Sequence, residues 1–201
     1  MRLTDSYLTI NGSSTGEYSE KRSKFLAFAF HVENTEEVKT LVQKYEKEYY
    51  DARHVCYAYV LGHLHDQFRA VDNGEPSGTA GKPILGQLTK YNLTNTLVIV
   101  VRYFGGIKLG TSGLTNAYKQ ATIEALENAE IEERTVDEIL NVTFEYPLMN
   151  EVMRVVKEMN PRVLSQQFEM TCLLILQIRQ SEATQLKSRL ELIRGVSIAS
   201  G

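Results

Sequence analysis

Apolar and polar positions change rhythm several times along this chain of 201 residues. Ser23 to Val32 (SKFLAFAFHV) partly alternates, as a strand does, and Thr35 to Tyr50 then carries Val38, Leu41, Val42 and Tyr45 at the spacing of one helix face. Glu36 and Glu37 suit the start of that helix, where the peptide dipoles leave partial positive charge. His54 to Leu61 (HVCYAYVL) is rich in β-branched and aromatic residues and predicts a strand. Asn95 to Phe104 predicts another, whose LVIVV centre has the continuous hydrophobicity of a strand buried on both faces. Beyond Gly105 and Gly106, Thr111 to Ala129 sets Leu114, Ala117, Tyr118, Ala121 and Ala125 at helical spacing, which predicts a helix packed on the sheet.

A second pattern begins near Thr135, and the charged stretch Glu130 to Arg134 is expected to link the two. Ile139 to Tyr146 reads as a strand, and Leu148 to Met159 as a helix stopped by Pro161. Val163 to Met170 and Thr171 to Gln180 read as strands. A helix capped by Ser181 and closed by Gly195 follows, and Val196 to Ala199 has room for one short last strand. This order, β-α-β-β-α-β, is the ferredoxin-like pattern. The expectation is an α+β protein of two domains, residues 1–134 and 135–201.

Composition narrows the functional classes. Hydrophobic residues make up 43% and charged residues 23% of the chain, the balance of a folded globular protein rather than of a disordered segment. Apolar runs such as Leu97–Val101 and Leu173–Leu176 fall far short of the ~20 residues that cross a bilayer. Met1 to Ser6 has no apolar stretch behind its basic residue, so no secretory signal is expected and the protein is expected in the cytoplasm. Cys56 and Cys172 are far apart and are expected to be reduced thiols there. A formal charge of −3 argues against bulk electrostatic attraction to nucleic acid and leaves only a local basic patch for that purpose.

Nine of the 13 glycines lie between Gly62 and Gly113, so unusual backbone is concentrated there. Within that region Val71 to Pro83 (VDNGEPSGTAGKP) predicts consecutive tight turns. These turns read equally well as a nest of N–H groups around an anion or as a structural loop in which Asp72 and Ser77 satisfy turn amides. The second segment, Arg102 to Leu114 (RYFGGIKLGTSGL), runs from the buried strand through a glycine-rich turn into a helix N-terminus, where free N–H groups and the helix dipole favour an anion. Arg102 and Lys108 would add charge, and replacing either by alanine is expected to weaken binding without unfolding the protein. The segment is neither a Walker motif nor GxGxxG. His54, Cys56, His63 and His65 lack the tight pairing of structural zinc sites, so neither a metal nor a cofactor is implied. A His54–Cys56 nucleophile pair would need an orienting third group. Asp72 and Glu75 are the candidate carboxylates for acid/base work.

Three blocks together resemble the IMPACT (YigZ) family: Ala52–Tyr59 (ARHVCYAY), Asp72–Gly81 (DNGEPSGTAG), and Val100–Leu114 (VVRYFGGIKLGTSGL) with Ala117–Tyr118. The resemblance implies an N-terminal domain like domain 2 of ribosomal protein S5, and a ferredoxin-like C-terminal domain like the fifth domain of elongation factor G. It also implies a link to translation, since eukaryotic members of that family are translational regulators. Asn73 stands where the family has a second acid, Asn116 where it usually has an arginine, and Ser112 where it has a glycine. The expectation is therefore a translation-associated regulatory protein that binds RNA, the ribosome or a translation-associated protein. Its expected contacts are Arg53, His54, Asp72, Glu75, Ser77, Thr79, Arg102, Gly105, Gly106 and Lys108. The alternative is a hydrolase of phosphorylated or peptide substrates in which Asp72 and Glu75 exchange protons.

Overall fold

The computed structural model describes residues 5–201 and divides them into two compact units, Tyr7–Arg134 and Thr135–Gly201 together with Asp5 and Ser6. In chain order, the first part contains β1 (Ser6–Ile10), β2 (Ser13–Glu20), β3 (Ser23–His31), α1 (Thr35–Glu48), β4 (His54–Leu61), β5 (Gln67–Val71), α2 (Gly81–Lys90), β6 (Thr96–Tyr103), α3 (Gly110–Glu127) and β7 (Ile131–Thr135). Five of these strands form one antiparallel sheet in the order β2-β3-β6-β4-β5. Strand β6 lies at its centre and is buried from Thr96 to Arg102, which accounts for its unbroken apolar sequence.

Period-two alternation divides the neighbouring strands between two cores. On one face Phe25, Ala27 and Ala29 of β3, Cys56, Ala58 and Val60 of β4, and Val98 and Val100 of β6 meet Ile84 and Leu88 of α2 and Leu114, Ala117, Tyr118 and Ala121 of α3. The opposite face carries Val55 and Leu61 of β4 and Leu97, Ile99 and Val101 of β6 under Val38 and Val42 of α1. Helix α1 starts where its sequence says. The Asn34 side chain accepts hydrogen bonds from the N–H groups of Glu36 and Glu37, at 3.1 and 3.0 Å, and Glu37 accepts in return from the Glu33 N–H at 2.9 Å.

Four elements leave no strong periodic signature. Strand β2 (SSTGEYSE) has no apolar run because it is a sheet edge, paired only with β3 and lying against α3. A Cβ on Gly16 would stand 2.3 Å from the Ala125 backbone nitrogen, so the helix approaches this strand through glycine. Strands β1 and β5 are five residues each, and α2 is hidden by two glycines and Pro83. That proline sits in the first helical turn, where an N–H has no intrahelical acceptor to lose. The stretch expected as a linker, Glu130 to Arg134, is largely strand β7, which pairs with β1. Its alternating burial explains why charged residues suffice there.

The second unit contains β8 (Asp137–Glu145), a 3-10 turn at Tyr146–Leu148, α4 (Met149–Met159), β9 (Arg162–Gln167), β10 (Thr171–Arg179), α5 (Gln180–Glu191) and β11 (Ser197–Ser200). Its sheet order, β11-β8-β10-β9, places the first and third strands of the unit side by side at the centre, as the ferredoxin-like pattern requires. Leu140, Val142 and Phe144 of β8 and Leu174, Leu176 and Ile178 of β10 pack under Val152 and Val155 of α4 and Ala183, Leu186 and Leu190 of α5. Strand β9 is an edge strand, exposed throughout, and it ends at Gln167, short of the expected Met170.

Helix α5 is not capped by Ser181. Its N-terminus has no side-chain cap of its own, and the Ser181 N–H donates instead to the carboxylate of Asp5 at 3.2 Å. The same carboxylate accepts from Arg179 Nε and Nη2 at 2.7 and 2.9 Å. The bonds from Ser181 and Arg179 lower the Asp5 pKa from an ordinary 3.8 to about 2. A depressed carboxylate stabilises the fold above its unfolded pKa, and that stabilisation is lost as pH falls through the folded value. Wild type is therefore expected to melt above Asp5→Asn at pH 7, with the gap closing as the pH is lowered from 3.8 toward 2. Thermal melts across that window check it.

Candidate functional site

Strand register assembles the site at one end of the central sheet. Phe25 of β3 and His54 of β4 both pair with Arg102 of β6, so the three side chains form a row across three strands on the face covered by α3. The Arg102 guanidinium carbon lies 5.5 Å from the Phe25 ring centroid and 5.6 Å from that of Phe104. The glycine-rich loop after β5 lowers Glu75 onto this row, and the loop after β6 brings Phe104 and Lys108 before α3 begins. Gly105 is needed there for space. A Cβ at that position would fall 2.1 Å from the Arg22 carbonyl carbon, and its N–H donates to the Ser23 hydroxyl at 3.2 Å.

Glu75 is the hub. It is buried, and its Oε1 accepts from Arg102 Nη1 at 2.6 Å and from the Tyr118 hydroxyl at 2.9 Å. His54 Nε2 stands 3.9 Å from Glu75 Oε2. His54 Nδ1 is 2.9 Å from the Asn73 carbonyl, which only accepts, so Nδ1 carries the proton. Behind them the Cys56 thiol donates to the Asp72 carbonyl at 2.8 Å, with the Tyr118 hydroxyl 3.4 Å away. Burial pushes the Cys56 thiol up to about 12 and drives the Tyr118 phenol further above its usual range. A buried thiol so held is a poor nucleophile at neutral pH, and Cys56 packs in the core of the first unit.

Asp72 is engaged by the backbone of its own loop. One carboxylate oxygen accepts from the Gly78 N–H at 2.7 Å, and the other from the Ala80 and Gly81 N–H groups at 3.0 and 2.8 Å. It thereby satisfies free donors at the start of α2, whose own cap residue, Ala80, has no side-chain bond to offer. Burial works to raise its pKa, but the three backbone donors and Lys82 outweigh that and hold it below the ordinary value. A carboxylate with both oxygens so engaged is poorly placed to exchange protons with a substrate, which removes support from the paired-carboxylate hydrolase. Asn73 is likewise used internally, its amide donating to the Val55 carbonyl at 2.9 Å.

Of the ten residues expected in the site, Arg53, His54, Glu75, Arg102 and Lys108 line one cavity of about 520 Å³ together with Pro76, Phe104, Leu109, Gly110, Thr111 and Leu114. The other five do not line it. Asp72 is spent as described, and the buried Thr79 hydroxyl donates to the Pro76 carbonyl at 2.7 Å. Ser77 is exposed on the loop, Gly105 packs on Arg22, and Gly106 makes the left-handed turn at φ 84°. His63 and His65 lie in the turn between β4 and β5, and among the described residues no three His, Cys, Asp or Glu side chains converge as metal ligands. Asn116 is exposed and does not line the cavity, so its difference from the family pattern falls outside the site. The N-terminus of α3 opens on the cavity with no side-chain cap and no acidic residue in its first turn.

Residues 21–126 match the Impact N-terminal domain. The chain is 35% identical over 156 residues to IMPACT family member YvyE of Bacillus subtilis, covering 78% of this chain and 72% of that protein. The chain belongs to the IMPACT family. An IMPACT family member of Haemophilus influenzae is 34% identical and extends the match to 92% of this chain and 90% of that one. A crystal structure of a hypothetical protein, 28% identical, superposes with a TM-score of 0.74 over 99% of this chain and 98% of its own. The α+β architecture is therefore shared along the whole length.

Sequence reasoning missed the role of Tyr118. Tyr118 lies at core spacing on α3, and nothing in that spacing reveals a hydroxyl held by a carboxylate 43 residues away in sequence. The burial of Arg102, 5% exposed, also changes what its replacement does. Arg102→Ala strands Glu75 as an unpaired buried charge and is expected to destabilise the protein by about 3–5 kcal/mol, rather than to be tolerated. Adding Glu75→Gln to that variant should recover part of the loss in urea titrations. Asp72→Asn turns an amide donor toward a backbone donor and should cost about 1–3 kcal/mol in the same measurement, with no dependence on ligand.

Proposed function

We propose that this IMPACT family protein is a cytoplasmic translation-associated regulator that uses the cavity at the N-terminus of α3 to hold a phosphate of RNA, free or on the ribosome. The observation that carries the reading is the coincidence, in one concavity, of an uncapped helix N-terminus with Arg53 and Lys108. Helix N–H groups and two cations favour an anion there, and neither cation has an ion-pair partner among the described residues. Arg102 is largely neutralised by Glu75 and acts as a rigid floor. With a formal charge of −3 over the whole chain, RNA affinity has to come from this local patch rather than from the protein's field. Family membership supports the translational setting, and the pocket supports the chemistry of the contact.

The test is a salt titration of binding to single-stranded RNA and to ribosomes. Arg53→Ala and Lys108→Ala are both exposed changes, expected to leave the melting temperature intact while weakening binding. Each should lower the slope of log K against log salt by about one unit. Wild-type affinity and slope in both variants would remove the phosphate contact.

A further inference from the structure

The cavity has more than charge in its walls. Beside Arg53, Lys108 and the start of α3 it is lined by Phe104, Leu109, Leu114 and Pro76, so a cationic part and an apolar part share one concavity. Phe104 is 48% exposed, which is unusual for an aromatic side chain at a core strand end, and its ring is backed by the Arg102 guanidinium. Arg102 lines the cavity while only 5% exposed, and its Nε has no hydrogen-bond partner among the described residues. This is a buried donor that the protein itself leaves unmatched. Such a donor costs free energy unless something else supplies the acceptor.

Size and charge narrow the occupant. A volume of about 520 Å³ lies within the ~300–1,000 Å³ of small-ligand sites, whereas a long run of backbone is tracked by an open groove. With Arg102 offset by Glu75, the remaining charged cations are Arg53 and Lys108. Two positive charges match a phosphate monoester, which carries about −1.5 to −2 at neutral pH, better than the single charge of an internal diester. From these observations we infer that the cavity binds one nucleoside monophosphate unit, with its phosphate at the N-terminus of α3 beside Lys108 and its base against Phe104. The inference rests on the phosphate reading above and adds the nucleoside to it. The same unit occurs as a free nucleotide and as the phosphorylated end of an RNA.

Calorimetry on the full chain tests this with adenosine 5′-monophosphate, ribose 5-phosphate, inorganic phosphate and adenosine. The nucleotide should bind at least about tenfold more tightly than ribose 5-phosphate, the scale of one base stacked on an aromatic ring. Phe104→Leu should erase that difference without moving the melting temperature, and Lys108→Ala should weaken nucleotide and sugar phosphate alike. A 5′-phosphorylated RNA that displaces the nucleotide at least tenfold better than its 5′-hydroxyl counterpart assigns the unit to an RNA end. Failure of both RNAs to displace it assigns the unit to a free nucleotide. Equal affinity for nucleotide and ribose 5-phosphate, unchanged in Phe104→Leu, overturns the nucleoside and leaves the phosphate site standing. Lys108-dependent RNA binding without measurable nucleotide binding overturns the inference alone, and absence of both overturns the phosphate reading as well.

Discussion

The first unit is organised around a buried charge that cannot be left alone. Glu75 arrives on a glycine-rich loop, Arg102 on the central strand and Tyr118 on the covering helix, and both partners donate to one oxygen of Glu75 within 2.9 Å. Taking a carboxylate and a guanidinium out of water costs several kcal/mol each, which is recovered only when the geometry is good. Loop, strand and helix are therefore tied to one arrangement. A loop that drifted would leave Arg102 unpaired in the core. The pair contributes register as much as energy, and it gives the cavity a floor that stays in place.

Around that floor, polar groups are divided between building and presenting. Asp72, Asn73 and Thr79 are occupied by backbone partners and shape the loop. Arg53, Lys108 and the first N–H groups of α3 border the cavity. His54 stands between the groups, one ring nitrogen fixed by the Asn73 carbonyl and the other turned toward Glu75. With the loop's acidic and polar groups engaged inside it, Arg53 and Lys108 border the cavity without an ion-pair partner among the described residues.

How far the sequence could be read follows from where packing speaks through it. Strands β3, β4 and β6 and helices α1, α3 and α4 bury regular faces, and their periodicity predicts them to within a few residues. Strand β2 escapes because an edge strand needs no apolar face of its own, and α2 escapes because Gly81, Pro83 and Gly86 mask a helix that begins on a distant aspartate. At the site, residue type together with the family resemblance put Arg53, His54, Glu75, Arg102 and Lys108 among the candidates, and these five line one cavity. Type and resemblance did not separate a carboxylate that caps a helix from one that pairs with an arginine, because that distinction depends on the partners the fold supplies. Charge on Arg102 was legible, but its burial between two aromatic rings was not.

Asp5 has a consequence for the order in which the protein assembles. The unit Tyr7–Arg134 is continuous in sequence, so all its parts are available once those residues have emerged. The second unit uses Asp5 against Arg179, 174 residues later. At roughly 5–20 residues per second of synthesis, Asp5 waits on the order of ten to thirty seconds before its partner exists. Asp5 is made long before it can be placed, and the start of α5 gains its cap only after Arg179 and Ser181 have emerged.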